Sequence, residues 1–164
     1  MRYNKIEKNS IANGVGIRVV LWAQGCSLHC KGCHNPQTWD FNGGQRFDVN
    51  AIQTICEELK KPYISGLTLS GGHCIEPESI QECTVLCKYL KLRFPEKTIW
   101  LYTGWQWEEI SHMDIIKYID VVVDGPYVEE EKDISLKWRG SRNQRVIDAQ
   151  KSLANKTVIL LENY

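Results

Sequence analysis

The chain has 164 residues, 20 Lys+Arg against 20 Asp+Glu, and 43% hydrophobic residues, which is enough for a self-sufficient core and a single domain spanning 1–164. A net charge of zero sets up no overall field toward nucleic acid, a membrane surface or an acidic substrate. No apolar stretch reaches bilayer length and Met1-Arg2-Tyr3-Asn4-Lys5 is not a secretory signal, so the expectation is a soluble, cytoplasmic protein with neither nucleic-acid nor membrane partners.

Taken in chain order, the first predicted strand is Ile17 to Trp22, followed by a cysteine-rich loop. Ile52, Ile55, Cys56 and Leu59 then recur at helical spacing. Leu67 to Ser70 is a second strand, and a longer helical stripe of Ile80, Cys83, Cys87, Leu90 and Phe94 opens after Glu76-Pro77. Ile99 to Tyr102 and Val121 to Val123 read as strands, Val146, Ala149 and Leu153 as a short helix, and Val158 to Leu161 as a last strand.

Alternation of strands and helices predicts an α/β fold of mostly parallel strands with its site at their carboxyl ends. A closed eight-fold barrel takes about 250 residues. The expected architecture is therefore a partial, open β/α barrel.

Seven cysteines are an odd number, and three of them fall within eight residues, which favours metal ligation in a reducing compartment over a disulfide framework. The loop Gly25-Cys26-Ser27-Leu28-His29-Cys30-Lys31-Gly32-Cys33-His34-Asn35 has the spacing C-x3-C-x2-C. Iron-sulfur cubanes are normally held by four thiolates, so a local set of three leaves one iron open for chemistry. The competing reading is zinc, with His29 or His34 completing a Cys3His tetrahedron; either histidine can equally just pad the loop.

Three further turns follow strands and so fall on the same rim: Gly71-Gly72, Tyr102-Thr103-Gly104 and Asp124-Gly125-Pro126. A glycine pair allows close backbone approach to a ligand, although ordinary turns use the same residues. Lys137 to Arg145 gathers four cations, a tryptophan and two amides, suited to an anionic group, a partner chain or plain solvation. Cys56, Cys83 and Cys87 lie on apolar stripes where packing accounts for them, whereas Cys74 sits at the rim with its role open.

Cys26-x3-Cys30-x2-Cys33 after the first strand, with Gly71-Gly72 after the second, resembles the radical S-adenosylmethionine superfamily. Gly25-Cys26 through Asn35-Pro36, Thr38-Trp39, Leu101-Tyr102-Thr103-Gly104, Val123-Asp124-Gly125-Pro126 and Trp138-Arg139-Gly140-Ser141 with Asn143-Gln144-Arg145 narrow the resemblance. They are similar to the glycyl-radical-enzyme activases, in particular the group serving the anaerobic ribonucleoside-triphosphate reductase. One departure is that the family usually has an acidic residue and then a proline after the glycine pair, where this chain has His73 and Cys74.

The resemblance implies a shortened barrel of the superfamily type and an oxidoreductase. Its 4Fe-4S cluster would be held by Cys26, Cys30 and Cys33, with S-adenosylmethionine on the open iron and Gly32, Cys33, His34, Gly71, Gly72, Thr103 and Asp124 binding the cofactors. One electron passed to the sulfonium would give methionine and a 5'-deoxyadenosyl radical, which removes a hydrogen from a glycine of the reductase large subunit. A reduced flavodoxin-type protein is the implied electron donor. The alternatives are an activase of another glycyl-radical enzyme, or a non-catalytic cluster- or zinc-binding interaction module.

Overall fold

The computed structural model describes residues 1–161. Seven strands form one sheet: β1 (Arg2–Ser10), β2 (Ile17–Gln24), β3 (Gln45–Arg46), β4 (Ile64–Gly71), β5 (Thr98–Tyr102), β6 (Val121–Asp124) and β7 (Arg145–Asp148), in the order β3-β1-β2-β4-β5-β6-β7. Four helices accompany them: α1 (Val49–Leu59), α2 (Ile80–Arg93), α3 (Trp107–Ile110) and α4 (Ala149–Asn155).

Period-two alternation assigns the sheet's two faces. Val19, Leu21 and Ala23 of β2, Leu67 and Leu69 of β4, Ile99 and Leu101 of β5, Val122 and Ile147 are buried in one cluster with the helices. From α1 come Ala51, Ile55 and Leu59, and from α2 come Cys83, Leu86, Cys87 and Leu90. Burying an aliphatic side chain of this size stabilises the fold by about 1.5–3 kcal/mol. The intervening residues form the other face, where Trp100, Val121, Val123 and Val146 make a smaller cluster under Trp138.

That second face also holds Arg18, fully buried, whose guanidinium donates to Thr68 Oγ1 at 2.7 Å, Leu67 O at 2.7 Å and Thr98 O at 2.9 Å. It lies 5.3 Å from the Trp100 ring centre, and burial pulls its pKa down to about 10. Helix starts are set by short polar side chains: Asp48 accepts the amides of Asn50 and Ala51 ahead of α1, and Asp148 that of Lys151 in α4.

The expected partial barrel of mostly parallel strands is not what forms. The sheet is open and mixed: β2, β4, β5 and β6 pair in parallel, while β1 pairs antiparallel with both β2 and β3, and β7 antiparallel with β6. The antiparallel ends arise because β1 turns directly into β2 through a six-residue loop, and β7 returns without an intervening long helix. Val146 belongs to β7 rather than to a helix, and the expected strand Val158 to Leu161 contributes a single bridge, Leu160 to Ile147. Among the described residues no helix is long and apolar enough to cross a membrane.

Candidate functional site

The cysteine loop leaves the end of β2 and is tied down at both ends by backbone. Gly25, at φ +100°, donates its amide to Thr38 O at 2.8 Å, and Cys26 donates to Trp39 O at 3.2 Å. Within the loop Cys33 N–H donates to Cys30 O at 3.1 Å, and Asn35 N–H to Cys33 Sγ at 3.4 Å. The glycine rim closes against it, with Gly72 N–H donating to Ala23 O at 2.9 Å and His73 N–H to Gly25 O at 2.8 Å.

A Cβ on Gly72 would meet Gly25 O at 2.5 Å, and Gly71 sits at φ +96°. Glycine is therefore required for the two chain segments to approach this closely.

A cavity of about 300 Å³ opens between these segments, at the lower end of the range for ligand pockets, about 300–1,000 Å³. Cys26, Cys30, Cys33, His34, Gly71, Gly72 and Thr103 all line it, so the structure gathers most of the residues singled out from sequence. Gly32 and Asp124 do not line it. Gly32, at φ +71°, is the turn of the loop packed against Glu129, and Asp124 is buried behind the rim, where it accepts Trp107 N–H at 2.8 Å and pairs with Arg145.

Cys26 is buried, and Cys30 and Cys33 are half-buried. Burial pushes the Cys26 thiol above its ordinary value, against hydrogen bonds from the Leu28 and His29 amides. His29 turns away onto the Trp39 ring, 4.7 Å between centres, while exposed His34 approaches Tyr127 at 5.2 Å. Among the described residues no group of three or more His, Cys, Asp or Glu side chains is gathered closely enough to hold a single metal ion. Cys26, Cys30 and Cys33, from one loop, all line the one cavity, and thiols are the donor type that iron-sulfur units take.

Sequence reasoning missed a chain of polar groups that runs from Ser27 through buried Glu76 and His73 to Thr103, the last two lining the cavity. Glu76 Oε1 accepts both Ser27 N–H at 2.8 Å and Ser27 Oγ–H at 2.7 Å, and lies 3.2 Å from His73 Nδ1. His73 Nε2 is 2.8 Å from Thr103 Oγ1, which also accepts Trp105 N–H at 3.1 Å. Burial lowers the His73 pKa against the pull of Glu76, so the ring is neutral at pH 7 and its Nδ1–H donates to Glu76. The signal available in sequence was Glu76 itself, an acid three residues beyond His73 at the glycine rim.

The Lys137 to Arg145 loop closes the far side through Gly140 and Gln144. Three of its cations are engaged internally: Arg139 donates to Gln144 O, Arg142 pairs with Asp133, and Arg145 with Asp124 and Glu108. Cys83 and Cys87 are core residues of α2, and Cys74 is fully buried with its thiol 3.7 Å from Ser70 O.

Residues 12–147 match the family described as "4Fe-4S single cluster domain". The chain is 44% identical over 148 residues to the anaerobic ribonucleoside-triphosphate reductase-activating protein of Enterobacteria phage T4, covering 89% of this chain and 93% of that one. It is 38% identical over 148 residues to the protein of the same name from Haemophilus influenzae, covering 88% and 96% of the two chains. The Escherichia coli protein of that name is 37% identical over 150 residues, covering 89% and 97%.

Proposed function

The chain belongs to the family of anaerobic ribonucleoside-triphosphate reductase-activating proteins, and from that premise we propose that it activates such a reductase by reductive cleavage of S-adenosylmethionine at a 4Fe-4S cluster. The end product of the reaction is a glycyl radical on the reductase large subunit, so the substrate is itself a protein. A reduced flavodoxin-type protein is the proposed electron donor. Seven free cysteines suit a reducing compartment, and we assign the protein to the cytoplasm as a single domain.

The observation that carries this reading is that three cysteines, Cys26, Cys30 and Cys33, line one cavity together with Gly71 and Gly72. When bound there, the cluster supplies a single electron and an open coordination position for the amino and carboxylate groups of S-adenosylmethionine.

The chain's own residues do the rest. Cys26, at the buried root of the loop, would hold the cluster together with Cys30 and Cys33, which are joined by a hydrogen bond from Cys33 N–H to Cys30 O. Gly72, with no side chain, lets the end of β4 lie directly against Gly25 at the root of the cysteine loop, so that the glycine rim and the cysteines line one cavity. Leu28 packs against Gly104 just beyond the end of β5, and Tyr127 and Gln144 line the same cavity. Asp124 supports this wall from behind through Trp107 and Arg145.

The test is anaerobic reconstitution with iron and sulfide, then incubation with dithionite and S-adenosylmethionine. Methionine and 5'-deoxyadenosine are the expected products, and their absence from a fully clustered sample overturns the proposal. Mixing with the reductase large subunit and reading its glycyl-radical signal tests the protein substrate separately.

A further inference from the structure

Three carboxylates are buried among the described residues: Glu58, Glu76 and Asp124. Glu58 is paired with Lys61 and Lys8, and Asp124 with Arg145. Glu76 has no such cation. Its partners are the Ser27 amide and hydroxyl and the neutral ring of His73. A buried charge without a counter-charge is costly, and hydrogen bonds offset only part of that cost. Burial pushes the Glu76 pKa up, yet the bonds from Ser27 and His73 outweigh it and leave the group below its ordinary value, so it is ionised at pH 7.

The place of this charge gives it meaning. Glu76 accepts its two shortest bonds from Ser27, the residue directly after Cys26, and so pins the first turn of the cysteine loop to the glycine rim. It also orients His73, whose other nitrogen accepts from the Thr103 hydroxyl. Because that hydroxyl accepts Trp105 N–H and donates to His73, what it has left to offer the cavity is an acceptor lone pair. The wall formed by His73 and Thr103 is thus negative in character, with a full charge one residue behind it.

We propose that Glu76 is a positioning residue that serves as the cavity's counter-charge: through Ser27 and His73 it makes the site favour a cationic ligand and holds a cluster bound at Cys26, Cys30 and Cys33 at low reduction potential. A fixed negative charge beside an iron-sulfur cluster resists addition of an electron, and outer groups that orient the ligands tune the centre in this way. A sulfonium compound is a ligand of the required charge. This inference rests on the cluster reading given above and adds to it the group that sets the site's charge.

The experiment compares the reconstituted wild-type protein with Glu76→Gln, which keeps the shape and loses the charge, and with Glu78→Gln, an exposed control on the same turn. Iron content, midpoint potential and affinities for S-adenosylmethionine and for the uncharged thioether S-adenosylhomocysteine are measured on each. The expected result is intact iron content in all three. The potential of Glu76→Gln alone shifts upward, and its preference for the sulfonium over the thioether falls by about tenfold, the scale of one unit charge roughly 12 Å away at an effective dielectric of about 20.

An unchanged potential and an unchanged preference in a fully clustered Glu76→Gln protein overturn the proposal. Should Glu76→Gln lose its iron, Glu76→Asp decides: recovery of iron and of the low potential with the charge restored supports it, and failure to recover either overturns it. A wild-type chain that takes up no iron-sulfur cluster refutes the cluster reading itself and is a different outcome from any of these.

Discussion

Arg145 grips the carboxylate of Asp124 from one side, with Nε at 3.1 and 3.2 Å from its two oxygens and Nη2 at 2.5 Å. Arg145 also reaches Glu108 at 2.9 Å, and Asp124 accepts Trp107 N–H, so one buried acid ties the ends of β6 and β7 to the start of α3.

Asp124→Ala leaves the guanidinium half-covered with only Glu108 for a partner, and strands the Trp107 amide. Breaking a buried pair by removing one side costs about 3–5 kcal/mol. Arg145 retains 32% exposure, so the lower end applies, about 3 kcal/mol. Urea denaturation of the apo protein measures it, and a midpoint equal to that of the wild type would show that the pair is not structural.

Gly72→Ala should separate the cysteine loop from the β4 rim. The new Cβ would meet Gly25 O at 2.5 Å and Ala23 O at 3.1 Å, both backbone atoms that cannot swing aside. Overpacking of this kind costs about 1–3 kcal/mol, and the strain falls one residue before Cys26, so iron retention drops along with thermal stability. At Gly104 the colliding atom is a Leu28 methyl, which can rotate, so Gly104→Ala should lose less of both. Equal losses in the two variants would contradict this account.

The parallel centre of the sheet was legible because its strands are buried on both faces and read as runs of Val, Ile, Leu and Trp. The edges were not. β1, covered on its outer side only by the two-residue β3, carries the charged residues Lys5, Glu7 and Lys8, and only Ile6 and Tyr3 pack on the core, so no apolar run marks it. Val146 and Ala149 are three apart, which imitates a helical face, although a strand ends and a helix begins between them. At the site, the cysteine loop and the three turns declare themselves locally. The bond from Ser27 to Glu76 joins residues 49 apart, and no local pattern announces it.

Glu58 gives a pH dependence with a definite sign. Its hydrogen bond to Lys61, then that to Lys8, holds its pKa below the ordinary value, with burial opposing them. A carboxylate depressed on folding contributes stability above its unfolded value, about 4.5, and loses it as the pH falls through the lower folded value. The stability gap between wild type and Glu58→Gln should therefore be constant from about pH 6 upward and narrow below about pH 4.5. Urea midpoints across that range check it, and a gap that widens on acidification would reverse the assignment.

Single alanine replacements should divide five of the seven cysteines into two classes. Cys26→Ala, Cys30→Ala or Cys33→Ala each removes one of the three donors on the cavity wall, and each is expected to abolish the cluster while leaving the apo fold intact, since none of the three belongs to the main hydrophobic cluster. Cys83 is fully buried in α2 with its sulfur 3.4 Å from Met1 Sδ, so Cys83→Ala should keep the cluster and lose about 1 kcal/mol of stability to the small void it leaves. Cys56, half-buried on α1, should lose neither cluster nor appreciable stability on conversion to alanine. Iron and sulfide content with the cluster's visible absorbance distinguishes the classes: a cluster that survives Cys30→Ala, or is lost in Cys83→Ala, would move the donor set off the loop and into the core.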